Sequence, residues 1–221
     1  MFTADDITPE IILNAYHQGI FPMAESVDSP HINFYQPEMR GQLSIEKLHI
    51  PKRLMRTLKT APYEVSINQA FEEIIDGCAS VQKGRESSWI NPIIRDAFME
   101  LHTLGHAHSV ECWVRHESGT KKLAGGLYGL ALGRIFCGES MVSFEKDASK
   151  IALVHLCARL KMGGFTVLDT QFTNDHLQQF GVYEIPDHEY NMLLKSDAHK
   201  PADFILEGTM TEEILENYLN L

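Results

Sequence analysis

The spacing of apolar residues in the first 60 positions predicts two helices separated by a long irregular segment. Thr8 before Pro9 marks a helix start, with Thr as the N-cap and Pro at the first helical position. This helix should end near residue 19. Residues 19–23 then form an apolar loop and residues 24–49 an irregular segment that contains two prolines. A short basic helix follows over residues 51–59.

The rest of the chain alternates between strand-like and helical patterns. Antiparallel strands followed by helix, strand, helix and strand predict an α+β protein with a mixed sheet. That order resembles the GNAT (N-acyltransferase) fold. A boundary near Ala61-Pro62 would divide a small N-terminal domain (1–61) from a GNAT-like catalytic domain (62–221). The predicted strands are 63–67, 109–115, 123–132, 135–142, 165–169 and 182–185, and the predicted helices are 68–78 (capped by Asn68), 91–105, 147–162, 174–180 and 188–195.

The overall charge is acidic, but it is unevenly distributed. The 221 residues carry a net charge of −11, which disfavours a protein that coats nucleic acid. Residues 40–59, however, hold six basic residues against one acid, whereas residues 162–221 hold two against eleven. One basic segment on an acidic body fits a localised contact with a polyanion.

Signals for membranes and secretion are not evident in the sequence. No apolar run approaches the roughly 20 residues that span a bilayer. The acidic start lacks the features of a secretory signal. The four cysteines form no CxxC pair. We therefore expect a cytosolic protein with reduced thiols, no membrane partner and, by default, a monomeric state.

Several short motifs occur in order along the chain and together resemble one family. With Gly19-Ile20-Phe21-Pro22-Met23 upstream, they resemble the leucyl/phenylalanyl-tRNA–protein transferase family over about residues 10–190. The chain departs from the family pattern at Thr170, where Cys is usual. The main motifs are Ser88-Trp89-Ile90, Gly105-His106-Ala107-His108, Gly125-Gly126-Leu127-Tyr128-Gly129, Phe136-Cys137-Gly138-Glu139-Ser140-Met141 and Asp169-Thr170-Gln171.

The resemblance implies an enzyme that moves leucine or phenylalanine from aminoacyl-tRNA to the N-terminal Arg or Lys of a protein. The new N-terminus marks that protein for degradation. The resemblance also implies that the transfer needs no metal, ATP or coenzyme. An aminoacyl ester is already activated, so holding it beside an amine can supply much of the rate acceleration.

Three residues are candidates for the catalytic group: Asp169, Gln171 and Glu139. Asp169 and Gln171 lie two apart on a predicted strand, so both side chains project from one face. The resemblance implies that Asp169 polarises a relay through Gln171, although binding of the incoming N-terminus is a rival role. The pattern alone also fits a surface Asp and Gln that close a strand. Glu139 either holds substrate amine or hydroxyl groups or forms an internal salt bridge, for instance with Lys150.

The resemblance also implies an apolar slot for the donor side chain. Leu156 and Leu160 lie four residues apart and so stack on one helix face, and the flexible Met141 suits both Leu and Phe. Plain core packing is the alternative for each of these positions. The slot residues are Trp89, Leu127, Met141, Leu156, Leu160 and Leu168.

The basic helix carries four cations at helical spacing: Lys52, Arg53, Arg56 and Lys59. Positions 52, 56 and 59 share a face, which suits a ridge that contacts tRNA phosphates. A solvated helix face is the alternative.

Three histidines at positions 102, 106 and 108 raise the question of a metal site. The helix-breaking Gly105 lies between them. Histidines near a helix C-terminus, where cations are favoured, explain this pattern better than a metal does. We therefore predict no metal.

Two other functions fit parts of the pattern. An acyl-CoA N-acyltransferase of the same fold would hold a pyrophosphate on a glycine-rich loop, but residues 142–149 contain no glycine and two acids. A non-catalytic adaptor that binds basic protein N-termini is the third possibility.

Overall fold

The computed structural model describes residue 3 and residues 6–60, 63–81, 87–115 and 119–220. The predicted boundary near Ala61-Pro62 lies outside these residues, so the division into 1–61 and 62–221 stays a prediction. No helix within the described ranges has the length and apolar character needed to cross a membrane.

The N-terminal segment contains more regular structure than the sequence predicted. Helix α1 (Pro9–His17) begins as expected, because Thr8 Oγ1 accepts a hydrogen bond from the Ile11 N–H. The predicted apolar loop is wrong, since it contains β1 (Phe21–Met23), which pairs with β2 (Asn33–Tyr35). The predicted irregular segment is also wrong, since β3 (Met39–Leu43) lies inside the main sheet.

The elements that follow agree closely with the prediction of a mixed α+β fold. Asn68 does not cap α3, since the N-cap is Ala70 and the Asn68 side chain accepts a hydrogen bond from the Ser109 N–H instead. The C-terminal α8 was not predicted. The elements are α2 (Lys52–Thr60), β4 (Tyr63–Ile67), α3 (Phe71–Ala79), α4 (Pro92–Thr103), β5 (Ala107–Arg115), β6 (Lys121–Leu132), β7 (Ile135–Ser143), α5 (Ala148–Met162), β8 (Val167–Gln171), α6 (Asp175–Gln178), β9 (Tyr183–Pro186), α7 (Asp187–Asp197) and α8 (Thr211–Leu219).

One sheet of seven strands organises the fold, in the order β4-β5-β6-β7-β8-β3-β9. Only the β7–β8 pair is parallel among the strands described; the other neighbours are antiparallel. Gly41 permits the close approach of β3 to β8, since a Cβ there would lie 2.8 Å from the backbone carbonyl carbon of Phe172.

Two apolar cores cover the two faces of this sheet. Successive strand residues alternate between them, as Ile135 and Cys137 face one core and Phe136 the other. The first core includes residues of α1, α3, α4 and α7, and the second is built around α5. Helix α5 lies deep in the molecule, and 12 of its 15 residues are buried. This burial fixes the side chains that α5 presents to the site.

Candidate active site

The sheet opens between its two parallel strands, and the candidate catalytic residues lie at this opening. In the described part of the chain, the last pair between β7 and β8 is Cys137 with Asp169. Glu139 and Gln171 each come two residues later, on facing strands. Gln171 Nε2 donates a hydrogen bond across the opening to Glu139 Oε1 at 3.1 Å. The structure therefore brings together the three residues that the sequence singled out.

Asp169 is fully buried beneath this opening and is held by four hydrogen bonds. Its Oδ1 accepts from Arg40 Nε at 2.9 Å and from the Gln171 backbone N–H at 3.0 Å. Its Oδ2 accepts from Arg40 Nη2 at 2.7 Å and from the Tyr190 hydroxyl at 3.1 Å. Asp169 thus contacts Gln171 through the backbone and not through the side-chain amide. It is not a surface residue that closes a strand.

Arg40 is the principal residue of the site that the sequence did not reveal. Sequence reasoning counted it with the basic surface segment, but its side chain is fully buried. Its Nη1 donates to the Gly19 carbonyl at 2.8 Å, and the guanidinium lies over the rings of Phe21 and Tyr190 at 4.8 and 4.4 Å. Burial by itself would lower the pKa of Arg40, but the Asp169 carboxylate raises it above its usual value.

Glu139 belongs to a second, more accessible part of the cluster. Its Oε1 accepts a hydrogen bond from the Tyr16 hydroxyl at 2.7 Å, in addition to the one from Gln171. Removal of the carboxyl from water raises the pKa of Glu139 to about 8, although the Tyr16 hydrogen bond opposes this shift. The proposed salt bridge with Lys150 is wrong, because Lys150 Nζ pairs instead with Asp147 at 3.3 Å.

An apolar cavity of about 940 Å³ adjoins Glu139. The predicted slot residues Trp89, Leu127, Met141, Leu156 and Leu168 all line it.

Leu160 was assigned to the same slot, but the structure places it elsewhere. It is fully buried in the core one turn beyond Leu156 on α5, and it does not line the cavity. Sequence reasoning missed Leu153, which lines the cavity one turn before Leu156. The three-residue spacing from Leu156 could have revealed it. Leu43 and Leu177 carried no comparable signal, because other elements bring them to the cavity.

The basic helix α2 forms as predicted and exposes Lys52, Arg56 and Lys59. Arg53 differs from these three, because its Nη2 pairs with Asp147 Oδ2 at 2.8 Å. Asp147 is the N-cap of α5. The basic helix is therefore joined to the helix that lines the cavity.

The histidines near residue 105 make separate contacts. His102 stacks on Phe71 with ring centroids 4.1 Å apart, and His108 stacks on Phe204 at 4.2 Å. Burial lowers the pKa of His108 to about 4. Over the described residues, no three His, Cys, Asp or Glu side chains come together as a metal site would require.

A largely apolar cavity with the Glu139 carboxyl on its wall is the kind of site that binds a small apolar group and orients its polar end. Comparison with known proteins identifies the family to which this chain belongs. The family model for the leucyl/phenylalanyl-tRNA protein transferase matches residues 42–195, and the model for the N-terminal domain of the same family matches residues 5–38.

Curated relatives and a solved structure agree with this match. The leucyl/phenylalanyl-tRNA–protein transferase of Nitrobacter winogradskyi is 52% identical over 201 residues, which cover 91% of this chain and 87% of the relative. That of Rhodopseudomonas palustris is 49% identical with the same coverage. The crystal structure of FemX shares the fold, with a TM-score of 0.53 and 10% identity over 83% of this chain and 70% of FemX. The chain belongs to the leucyl/phenylalanyl-tRNA–protein transferase family, which confirms the resemblance seen in its motifs.

Proposed function

We propose that this protein transfers leucine or phenylalanine from aminoacyl-tRNA to the N-terminal Arg or Lys of acceptor proteins and so marks them for degradation. Family membership gives the reaction class. The observation that supports it here is the apolar cavity lined by Glu139, whose carboxylate accepts a hydrogen bond from Gln171. We further expect the enzyme to act as a monomer in the cytosol, where aminoacyl-tRNA is made.

The donor's side chain would enter the apolar part of the cavity. Leu127, Met141, Leu156 and Leu168 provide apolar walls on several sides, and the thioether of Met141 can adapt to either leucine or phenylalanine. Apolar contact discriminates by only about 1–3 kcal/mol per methylene group. Valine should therefore be a poor donor but still a detectable one.

The reaction needs little beyond correct placement of two groups. Proximity of an ester and an amine can supply about 7–11 kcal/mol of the barrier when both are well oriented. The ester and the amine would meet at the part of the cavity lined by Glu139, whose carboxylate accepts a hydrogen bond from Gln171. The carboxylate form of Glu139 and the acidic C-terminal part of the chain would favour the acceptor's cationic N-terminal residue there.

Helix α2 offers a place for the tRNA backbone. Lys52, Arg56 and Lys59 are exposed on it, and phosphate contacts of this kind position a nucleic acid without reading its sequence. Leu54 of α2 is buried in the same apolar core as α5, so the basic face is attached to the helix that lines the cavity.

We propose that the fold is of the GNAT type, with parallel strands that separate at the site. The use of acyl-CoA is disfavoured by the backbone at the start of α5. The N–H groups of Phe144 and Glu145 both donate to the Ala124 carbonyl, and that of Ser149 donates to Ser143 Oγ. These N–H groups are therefore not available to hold a pyrophosphate.

A transfer assay tests this proposal. Purified protein is mixed with radiolabelled Leu-tRNA and a peptide that begins with Arg, without ATP or CoA. Label should enter this peptide but not the same peptide with an acetylated N-terminus, which lacks the free amine. Absence of label from the Arg peptide, or a requirement for CoA, would contradict the proposed function.

A further inference from the structure

Asp169 has no free position at which it could accept a proton from a substrate. An ionised carboxylate offers about four lone-pair sites, and Asp169 accepts four hydrogen bonds from Arg40, Tyr190 and the Gln171 backbone. Its side chain is also completely buried. A substrate amine could reach it only by displacing one of these donors.

Arg40 also neutralises the charge that a relay from Asp169 would need. The two side chains form a bidentate pair between the adjacent strands β3 and β8, with both side chains 0% exposed. Hydrogen bonds of this type are strong and fix geometry. The Asp169 carboxylate is therefore an anchor for the local backbone.

The hydrogen bond from the Gln171 N–H to Asp169 orients the Gln171 side chain. Gln171 has φ of 56°, a left-handed conformation that costs energy for a residue with a side chain. The hydrogen bond from its N–H to Asp169 Oδ1 holds this conformation, and in it the side-chain amide meets Glu139.

Glu139 differs from Asp169 in its access to the cavity and in the hydrogen bonds that its carboxylate accepts. It lines the cavity, and its two hydrogen bonds, from Tyr16 and Gln171, both end on Oε1. Within the described part of the chain, no group donates a hydrogen bond to Oε2. Among the residues that the structure describes, Asp175 is the other carboxyl residue on the cavity wall.

We propose that Glu139 accepts the proton from the attacking amine, and that Asp169, held by Arg40 and Tyr190, is a positioning residue that orients Gln171. This proposal rests on the proposed function. The neutral amine of the acceptor forms the new bond to the ester carbon, and its excess proton passes to Glu139. The bond between that carbon and the ribose oxygen breaks, and the proton passes from Glu139 to the departing oxygen.

The electrostatic surroundings of Glu139 agree with this role. Burial raises its pKa to about 8, and a general base works best when its pKa lies near the working pH. The charged and titratable groups that face it are Tyr16 on α1, Asp169 on β8, Arg40 on β3 and Cys137 on its own strand. Because the pKa is raised, the carboxylate form, and with it the base, should increase as the pH rises through about 8.

Kinetics over a range of pH separate the two carboxyl residues. Transfer is measured at saturating Leu-tRNA and Arg peptide from pH 6 to 9.5 for wild type, Glu139→Gln, Asp169→Asn and Asp175→Asn. The control is Glu73→Gln, at an exposed position of α3 away from the cavity. The acceptor amine titrates in the same pH range. Each variant is therefore compared by the ratio of the wild-type rate to the variant rate at the same pH, because the titration of the amine affects both rates equally and cancels. Melting curves identify conditions in which each protein is folded.

The expected results differ by residue. Glu139→Gln keeps an oxygen for Tyr16 and Gln171 but should lower kcat about 10²- to 10⁴-fold. The ratio of wild-type to variant rate should rise with pH, be half-maximal near pH 8 and level off about one pH unit higher. The ratio of the Asp169→Asn rate to the Glu139→Gln rate should also rise with pH, with its midpoint below pH 8, because an anion beside Glu139 is lost. Asp175→Asn should give a ratio that does not change with pH, and the exposed control Glu73→Gln should match wild type. A pH-dependent ratio for Asp169→Asn together with a constant ratio for Glu139→Gln would overturn the proposal, as would a loss below tenfold for Glu139→Gln.

Tyr16→Phe provides an independent test with little risk to the fold. It removes the hydrogen bond that lowers the pKa of Glu139, so the rise in rate should move to higher pH. An unchanged profile in this variant would also overturn the proposal. If wild type transferred no leucine at all, the proposed function would fail instead, and the two failures are thus distinguishable.

Discussion

Removal of either partner of the buried Arg40–Asp169 pair should strongly destabilise the protein. Removing one partner of a buried ion pair typically costs about 3–5 kcal/mol, because the remaining charge is left without compensation. Arg40→Met would leave the Asp169 carboxylate buried, and Asp169→Asn would leave the guanidinium buried, since neither side chain contacts solvent. For a domain of about this size, such a loss lowers Tm by roughly 6–20 °C.

A double-mutant cycle measured by urea unfolding tests this reasoning. Each single variant should lose about 3–5 kcal/mol, whereas the double variant Arg40→Met with Asp169→Asn should be no less stable than the worse single variant, because no unpaired charge remains. Losses below about 1 kcal/mol for both single variants, or strictly additive losses, would refute the account of a buried, mutually dependent pair. The same measurement also shows how much of any activity lost in Asp169→Asn comes from unfolding.

Three further predictions concern the substrates. Leu156→Ala and Leu160→Ala should each destabilise the protein by about 2–5 kcal/mol. Only Leu156→Ala, at the cavity wall, should raise the Leu-tRNA concentration needed for half-maximal rate. If both folded variants need the same Leu-tRNA concentration, the slot lies elsewhere. The double variant Lys52→Ala with Arg56→Ala should reduce the slope of log affinity for tRNA against log salt by up to about 2, whereas the control Lys195→Ala should leave this slope unchanged. Puromycin lacks the tRNA body and should bind wild type and both variants alike. A similar loss of puromycin affinity in the double variant would show that the substitutions damaged the cavity. Peptides that begin with Arg or Lys should be better acceptors than peptides that begin with Ala or Asp, and equal rates for Arg and Ala would contradict the acidic acceptor site.

The long elements of the fold could be predicted because their signals are local. Strands of nine to twelve residues, such as β5, β6 and β7, are long enough for their composition and turns to be visible. Helix starts were predicted where the capping side chain acts within three residues, as Thr8 and Asn91 do. Asn68 has the same residue type, but its side chain bonds to a neighbouring strand.

The missing parts depend on contacts between distant segments. β3 contains Arg40 and Gln42 and has no apolar alternation, yet it is buried because β8 and β9 pair with it from more than 120 positions away. Arg40 carries the same charge as its neighbours on α2, and only the position of Asp169 makes it a buried residue. The pairs in β1 and β2 involve three residues each, which is too short for a periodic signal.

The candidate site was only partly predicted, because it too depends on contacts between distant segments. The motifs led to Asp169, Gln171 and Glu139, and the structure brings them together. Their different chemistry follows from Arg40 and Tyr16, which reach them from separate elements. The assignment of Leu160 failed for a different reason. Helical spacing predicts which residues share a face of α5, but it does not predict how far along the helix the cavity extends.

The most direct test of the central claim is the stoichiometry of transfer. Leu-tRNA and an Arg peptide are incubated with a small amount of the protein, and the products are counted by mass spectrometry for the peptide and by acid gel for the tRNA. The account predicts many leucyl-peptide molecules per protein molecule, with one tRNA deacylated for each. A protein that binds at most one Arg peptide and leaves the tRNA aminoacylated would instead be a non-catalytic adaptor, and that result would contradict the account.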